Sequence, residues 1–410
     1  MKITYIHQYF TTPGCAGGTR SYEFATRLVK DGHEVNIITT DSFFKQKSNN
    51  NRTWDFVEIN GINVHICRSN YSNKQGFLSR IFSFLSFMIL ATIKGLRIKT
   101  DLIFATSTPL TIAIPAIIIS KIKCKPFVFE IRDAWPDVPI AMGILKSKLI
   151  IFIARVLEKA AYINAKGIIC LSPGMKDSVE SSIGKSLKSI EIIPNGSDNE
   201  LFDCDYEVPS SLSKEVHSIV KGKKLVIYAG TFGYVNGVDY IVEVAAHLKN
   251  RKDIAFLLIG DGIKKHEIIE KSKKLGVLDN NLYIHAPIPK NDLAKLLKFA
   301  SLSLSTTIAV PELWNNSANK VFDSFAASVP VAINHKGWLA EILSSHKAGI
   351  ILSENDCQEA AQMLGAYVSN EAKLYYARQA SKKLALTIFS RDLLYNKFKR
   401  VLLNAAHPKG

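Results

Sequence analysis

An alternation of short β-branched runs with helical stretches, which lapses once and then restarts, restricts this chain more than any other feature. Residues 3–6, 34–39, 102–105, 126–130 and 167–171 are apolar runs of strand length, and helical periodicity occupies intervals such as 22–31 and 111–121. From 198 to about 223 the pattern gives way to a polar stretch with Asp198-Asn199-Glu200 and Pro209-Ser210-Ser211, which suits a linker. A second strand series follows at 225–229, 254–259, 282–286, 302–305 and 329–333, with helices at 238–249, 264–275 and 292–299. Alternation of this kind builds parallel sheets covered by helices on both faces, so the expected fold is α/β with two doubly wound Rossmann-like domains. In such sheets ligands bind beyond the carboxyl ends of the strands, and two facing sheets would place one in a deep cleft between them. The expected division is 1–198, 199–385 and a terminal helix in 386–410, where Leu393, Leu394, Phe398, Val401 and Leu402 recur at helical spacing.

The length of 410 residues agrees with two or three domains of roughly 150 residues each. A formal net charge of +16 favours anionic partners, whether nucleotides, nucleic acid or acidic lipid surfaces. Six scattered cysteines show no paired spacing for zinc or redox chemistry, so free thiols in a reducing cytosol and no metal site are expected. The chain starts on a strand-like run, Lys2 to His7, with no charged region leading into an apolar one and a small-residue cleavage site, so secretion is not expected.

The stretch from Pro311 to Val331 runs a polar loop into a short helix carrying Asn319, Lys320 and Asp323. The first amides of a helix lack intrahelical partners and lie at its positive end, so they attract phosphate, and Lys320 in the first turn adds a full charge. Asn319, Lys320 and Asp323 are three and four apart and converge on one side, where Asp323 can accept from sugar hydroxyls. The plain alternative is a capping motif with an i,i+3 ion pair. Glycines follow three strands: Gly17-Gly18-Thr19-Arg20, Gly230-Thr231-Phe232-Gly233 and Gly260-Asp261-Gly262. Each permits close backbone approach to a phosphate, although tight turns use glycine as well. Neither G-x-G-x-x-G nor G-x-x-x-x-G-K-[ST] occurs in either half, which argues against a dinucleotide oxidoreductase or a P-loop ATPase.

In this order the motifs resemble glycosyltransferase family 4, the GT-B enzymes: Gly17-Gly18 through Leu28, Gly32-His33-Glu34-Val35, Arg132-Asp133-Ala134-Trp135-Pro136, Ile193-Pro194-Asn195-Gly196, Leu258 through Gly262, and Asn319-Lys320 with Asp323. The Arg132–Pro136 and Ser317–Asp323 variants look most like the bacterial O-antigen and capsule branch that includes N-acetyl-fucosaminyl transferases. The resemblance implies a donor site with the diphosphate near Gly230 and Thr231, the base near Pro287 and Ile288, and the ribose on Asp323. Phe232, Asn315 and Ser317 fall within that region. The family usually has Glu where this chain has Asp323, and often a first Glu where it has Asn315; Glu312 replaces it only if the loop is remodelled. The basic pair of many relatives is also missing, with Thr231 and Asn236 in its neighbourhood, so Lys320 and Arg20 are left to neutralise the diphosphate.

The implied chemistry is displacement of a nucleoside diphosphate from an anomeric carbon with retention, using a UDP-sugar as co-substrate and no metal or cofactor. Donors fixed on the leaving phosphate supply most of the acceleration. A glycosidase-style carboxylate pair is neither required nor evident. Relatives commonly carry a His where this chain has Arg132-Asp133, so Asp133 is the candidate nearest the acceptor hydroxyl, unless the pair only orients the loop before Pro136. His7 and Glu130 are read as structural more readily than catalytic. The resemblance also implies that the last helix returns to the first domain.

Residues 77–93, from Phe77 to Ile93, are apolar, interrupted by Arg80, and flanked by Lys74, Lys94, Arg97 and Lys99. They are short for a membrane span and suit a monotopic anchor on acidic lipid, or else a core helix, and residues 149–157 pose the same choice more weakly. With the net charge, this points to a polyprenyl-diphosphate-linked saccharide as acceptor, on the inner face of the cytoplasmic membrane. Two other readings stay open. A nucleotide-sugar 2-epimerase of related fold needs no such apolar segment. A nucleic-acid-binding protein would carry concentrated basic residues with interleaved aromatics, and here they are dispersed, so no nucleic acid is expected.

Overall fold

The computed structural model describes residues 1–13, 18–43, 53–68, 77–107, 109–184, 189–204, 207–210, 212 and 214–407. The chain forms two compact units, 1–194 with 394–410, and 195–393.

Unit 1 contains β1 (Lys2–Ile6), α1 (Arg20–Lys30), β2 (Glu34–Thr40), β3 (Trp54–Ile59), β4 (Ile62–Cys67), α2 (Phe77–Arg97), β5 (Leu102–Thr106), α3 (Ala113–Lys123), β6 (Phe127–Ile131), α4 (Asp137–Ala141), α5 (Lys148–Asn164), β7 (Gly167–Cys170), α6 (Pro173–Ile183) and β8 (Ser189–Ile192). The sheet order is β3-β4-β2-β1-β5-β6-β7-β8, parallel throughout except for β3, which runs antiparallel to β4. That edge hairpin turns on Asn60 and Gly61 at φ 50° and 78°, the positive pair a two-residue turn requires. Alternate residues of β5 divide the core: Ile103 and Ala105 face α2, α3 and α5, while Leu102 and Phe104 face α1 and the chain terminus.

Unit 2 contains α7 (Asn199–Phe202), α8 (Lys214–Gly222), β9 (Lys224–Ala229), α9 (Val238–His247), β10 (Ile254–Ile259), α10 (Lys265–Lys274), β11 (Leu282–His285), α11 (Lys290–Leu297), β12 (Ala300–Ser305), α12 (Asn319–Ala326), β13 (Val331–Ile333), α13 (Trp338–His346), β14 (Gly349–Ile351), α14 (Cys357–Ser369) and α15 (Glu371–Thr387). Its sheet is wholly parallel in the order β11-β10-β9-β12-β13-β14.

The expected boundaries and linker need correction. Polar composition at 198–223 conceals two amphipathic helices: Phe202, Val216 and Ile219 pack with Leu225, Ile227 and Leu257, so this stretch is part of unit 2. Unit 1 ends at Pro194 rather than 198 because Asn195 and Ser197 bond within unit 2. Residues 386–393 also stay with unit 2. Phe389 is 2% exposed among Phe322, Phe325 and Trp338, and Arg391 donates to the Gly196 carbonyl at 2.8 Å and pairs with Asp198.

The last helix, α16 (Arg391–Ala406), delivers Leu394, Phe398, Val401 and Leu402 to the unit 1 core, where Phe398 meets Phe24 and Phe104. Tyr395 and Lys399 both bond to Asp31. A chain ending at Ser390 loses this apolar ridge, each buried side chain worth ~1.5–3 kcal/mol. It is expected to melt well below the full chain and to lose turnover in a scanning-calorimetry and activity comparison; equal melting and turnover would refute this.

Candidate functional site

In unit 2 the strand order reverses at β9, with β10 and β11 on one side and β12 on the other, so the carboxyl ends of β9 and β12 form a switch point. Gly230 follows β9 there. Lys320, at the second position of α12, extends back to this turn: its Nζ lies 3.8 Å from the Tyr228 ring centroid, and a methyl group on Gly230 would fall 2.8 Å from it. Among the described residues no carboxylate is within ion-pair distance of that ammonium. Burial pushes its pKa down to about 7, since the aromatic face is a weak substitute for water. The N-cap of α12 is Ala318, whose side chain can accept nothing, so an anion can use the helix's first amides.

Asp323 does not pair with Lys320. It accepts from the Ser197 hydroxyl at 2.7 Å and lies 3.3 Å from the Lys290 ammonium, so the i,i+3 ion pair is not formed. Ser317 is an anchor: its hydroxyl accepts from the Asn195 amide at 2.9 Å and its carbonyl from the Asn195 side chain at 2.7 Å. Phe232 is buried against Tyr228 and supports the turn from beneath. Thr231 accepts from the Tyr228 hydroxyl at 2.8 Å. Gly260 is required by close approach, because a methyl there would fall 1.9 Å from the Gly230 carbonyl oxygen. Asp261 closes its own turn by accepting from the Gly262 amide at 2.8 Å. Pro287 is exposed and Ile288 half-buried after β11, Asn315 ends the turn Pro311–Asn315, and Asn319 is exposed at the start of α12.

In unit 1 the corresponding reversal lies between β1 and β5. His7, directly after β1, is buried, and the Arg132 guanidinium donates to its Nε2 at 3.4 Å. That bond places the ring proton on Nδ1, which has no partner among the described residues. Burial, with Arg132 nearby, holds the imidazole pKa well below its ordinary value. Gln8 is fully buried, and among the described residues neither side-chain amide atom has a partner. Buried polar atoms without partners are rare and costly, and here they gather at the end of the central strand. The Arg132 amide donates to the Ser107 hydroxyl at 2.9 Å, and the Asp133 carbonyl accepts from the Trp135 amide at 2.9 Å, which fixes the loop after β6.

Arg20 departs from its expected place at the diphosphate. It is 2% exposed, donates to Glu130 at 2.8 and 3.0 Å, and donates to the carbonyls of Ile193 at 2.9 Å and Pro194 at 2.6 Å. Four of the five guanidinium N–H groups are thus engaged inside unit 1. Thr19 caps α1 through its carbonyl, and the Gly18 carbonyl accepts from Thr11 at 3.0 Å. Gly17 lies outside the described residues.

The structure thus joins Gly230, Gly260 and Lys320 in one place and Arg132 with His7 in another. Sequence reading missed Tyr228, Ser197, Lys290 and Gln8. Lys290, directly after the Pro287–Pro289 loop, was within reach of a charge-pairing argument; Ser197 was not, because its contact spans 126 residues.

Residues 17–201 match the family model described as Glycosyltransferase Family 4, and residues 210–384 the one described as Glycosyl transferases group 1. The chain belongs to glycosyltransferase family 4. It is similar to "Putative colanic acid biosynthesis glycosyl transferase WcaI" of Escherichia coli (strain K12), 21% identical over 297 residues, covering 70% of this chain and 72% of that one. It is also similar to "Probable glycosyltransferase WbjE" of Pseudomonas aeruginosa, 23% identical over 214 residues, covering 50% and 52%. Among solved structures, Anabaena Alr3699/HepE in complex with UDP superposes with a TM-score of 0.71 at 16% identity, over 98% of this chain and all of that one.

Proposed function

We propose that this glycosyltransferase retains anomeric configuration and moves a sugar, an N-acetylated hexosamine or deoxyhexosamine, from a UDP-sugar to a lipid-linked saccharide of a bacterial surface polysaccharide. The observation that carries the donor assignment is the Lys320 ammonium, held against Gly230 with no counter-ion among the described residues. Lys320 is half-buried, so its cation is poorly solvated and lacks a carboxylate partner among the described residues, a cost that an arriving diphosphate reduces. As the anomeric bond breaks, charge grows on the leaving phosphate, where Lys320 and the α12 amides stabilise it. Asp323 takes the ribose hydroxyls by exchanging its Ser197 or Lys290 bond. UDP in the HepE complex supports uridine as the base. The leaving phosphate helps deprotonate the acceptor, with no metal needed, and Arg132 and Asp133 orient the acceptor hydroxyl. The lipid-linked acceptor fits a peripheral enzyme on the inner face of the cytoplasmic membrane, resting on α2. Among the described residues no helix is long and apolar enough to cross a membrane.

A thermal-shift series against UDP, GDP, ADP and CMP tests the donor assignment, because a ligand at 100 times its Kd stabilises by about 2.7 kcal/mol. UDP is expected to raise the melting temperature most, and Lys320→Ala to abolish the rise. Absence of any nucleotide response would overturn the assignment. Conversion of a UDP-sugar without acceptor would favour the epimerase instead.

A further inference from the structure

Helices α2, α3 and α5 lie in one layer on one face of the unit 1 sheet, with α3 between the others. Their inner sides enter a single core through Phe87 and Ala91, Ala116 and Ile119, and Ala161 and Tyr162. Their outer sides therefore point the same way, away from the sheet. On α5 that side is apolar: Leu149, Phe152, Ile153 and Val156, spaced i, i+3, i+4 and i+7, are 68, 66, 56 and 52% exposed. On α2, Phe82, Leu85, Ile89 and Ile93, spaced i, i+3, i+7 and i+11, line one side and are 75, 44, 55 and 44% exposed. An apolar surface of this extent on one helical layer marks an interaction face.

Charge identifies the partner. Neither α2 nor α3 contains an Asp or Glu, and the one acid of α5, Glu158, is 1% exposed and bonded to Arg155 and Tyr162. The layer therefore offers no exposed carboxylate, while Lys146, Lys148 and Lys159 border the α5 stripe. At the amino ends of β6 and β7, where α3 and α5 finish, a hollow of about 390 Å³ is lined by Lys121, Lys125 and Lys166 beside Ile117 and Pro126. None of these three lysines has an ion pair among the described residues. A second copy docked by the same face would set lysine against lysine.

We infer that the outer face of α3 and α5, continuous with that of α2, is a docking surface for an anionic phospholipid bilayer, with the lysine hollow receiving headgroup phosphate. This extends the membrane contact proposed above from one helix to a platform of three. The helices lie in the interface with side chains inserted, and the lysines remain at headgroup depth.

Co-sedimentation of the full chain with phosphatidylcholine vesicles, with and without phosphatidylglycerol, tests the surface. Binding is expected chiefly to the anionic vesicles. The pair Phe152→Asn and Val156→Asn is expected to weaken it about tenfold with an unchanged melting curve, since both side chains are exposed and inserted apolar area sets the affinity. Lys121→Ala with Lys166→Ala is expected to weaken it several-fold, whereas Tyr375→Asn with Tyr376→Asn, equally exposed on unit 2, is expected to leave it unchanged. Wild-type-like sedimentation of the α5 pair overturns the proposal, as does indifference to lipid charge, or a dimer that the α5 pair dissolves without any vesicle binding. The assay contains no donor or acceptor, so it decides the surface even for a chain that transfers no sugar. A water-soluble acceptor analogue reports transfer separately, and the α5 pair is expected to use it normally.

Discussion

Lys320→Ala is expected to lower kcat/KM by about 10²–10³-fold, the loss typical of removing one preorganised donor from a developing negative charge. Folding should be intact, because among the described residues the ammonium has no ion-pair partner to abandon and the variant relieves a poorly solvated cation. Lys320→Arg is not expected to rescue activity. The planar guanidinium is too large for the space between the Tyr228 ring and Gly230, where a single added methyl already falls 2.8 Å from Nζ. Steady-state kinetics with UDP affinity decides the matter: an alanine variant with wild-type turnover would move the phosphate site elsewhere.

The same lysine sets a pH dependence whose direction is fixed. Its pKa of about 7 in the unliganded protein is below the ordinary value, so above pH 7 the free site is increasingly neutral. A bound diphosphate favours the charged form and raises the pKa, so binding takes up a proton above pH 7. UDP affinity should therefore fall by on the order of tenfold per pH unit above 7, where a lysine of ordinary pKa would give no change. Calorimetric titration in buffers of different ionisation enthalpy checks the proton uptake directly.

Both doubly wound sheets were legible because central parallel strands are buried on both faces, so β1, β5, β6, β9, β10 and β12 stand out as apolar runs. The edge hairpin was passed over although Asn60-Gly61 between two alternating runs announces it. Helices α7 and α8 were taken for linker because their apolar positions are few and separated by polar residues. Local spacing placed Asn319 and Lys320 in the first turn of one helix, where α12 has them, whereas side-chain partners far along the chain were illegible. Asp323 has its Ser197 partner 126 positions away, and Arg20 has Glu130 110 positions away and Pro194 174 away. A basic residue beside a glycine turn resembles a phosphate ligand in sequence; only the fold shows that its donors are already engaged.

That distinction gives the second large effect. Arg20→Ala would leave the fully buried Glu130 carboxylate with only the Thr106 hydroxyl, at 2.8 Å, and would strip the Ile193 and Pro194 carbonyls of their donor. Breaking a buried pair from one side costs ~3–5 kcal/mol, because the remaining charge is neither solvated nor paired. At about 2–4 °C per kcal/mol for a unit of this size, melting should fall by roughly 10 °C or more. Arg20→Lys should recover part of the loss, since an ammonium can meet Glu130 but cannot span the carboxylate and both carbonyls. Arg20→Met combined with Glu130→Leu should melt above Arg20→Ala, because no unpaired charge stays buried, yet below wild type, because the two carbonyls remain unsatisfied. Calorimetric melts of wild type and the three variants, paired with UDP titrations, separate a framework arginine from a phosphate ligand. Arg20→Ala that melts like wild type but loses UDP affinity would return Arg20 to the diphosphate, whereas a low-melting variant that still binds UDP below its transition fixes it as the residue that ties β6 to the end of unit 1.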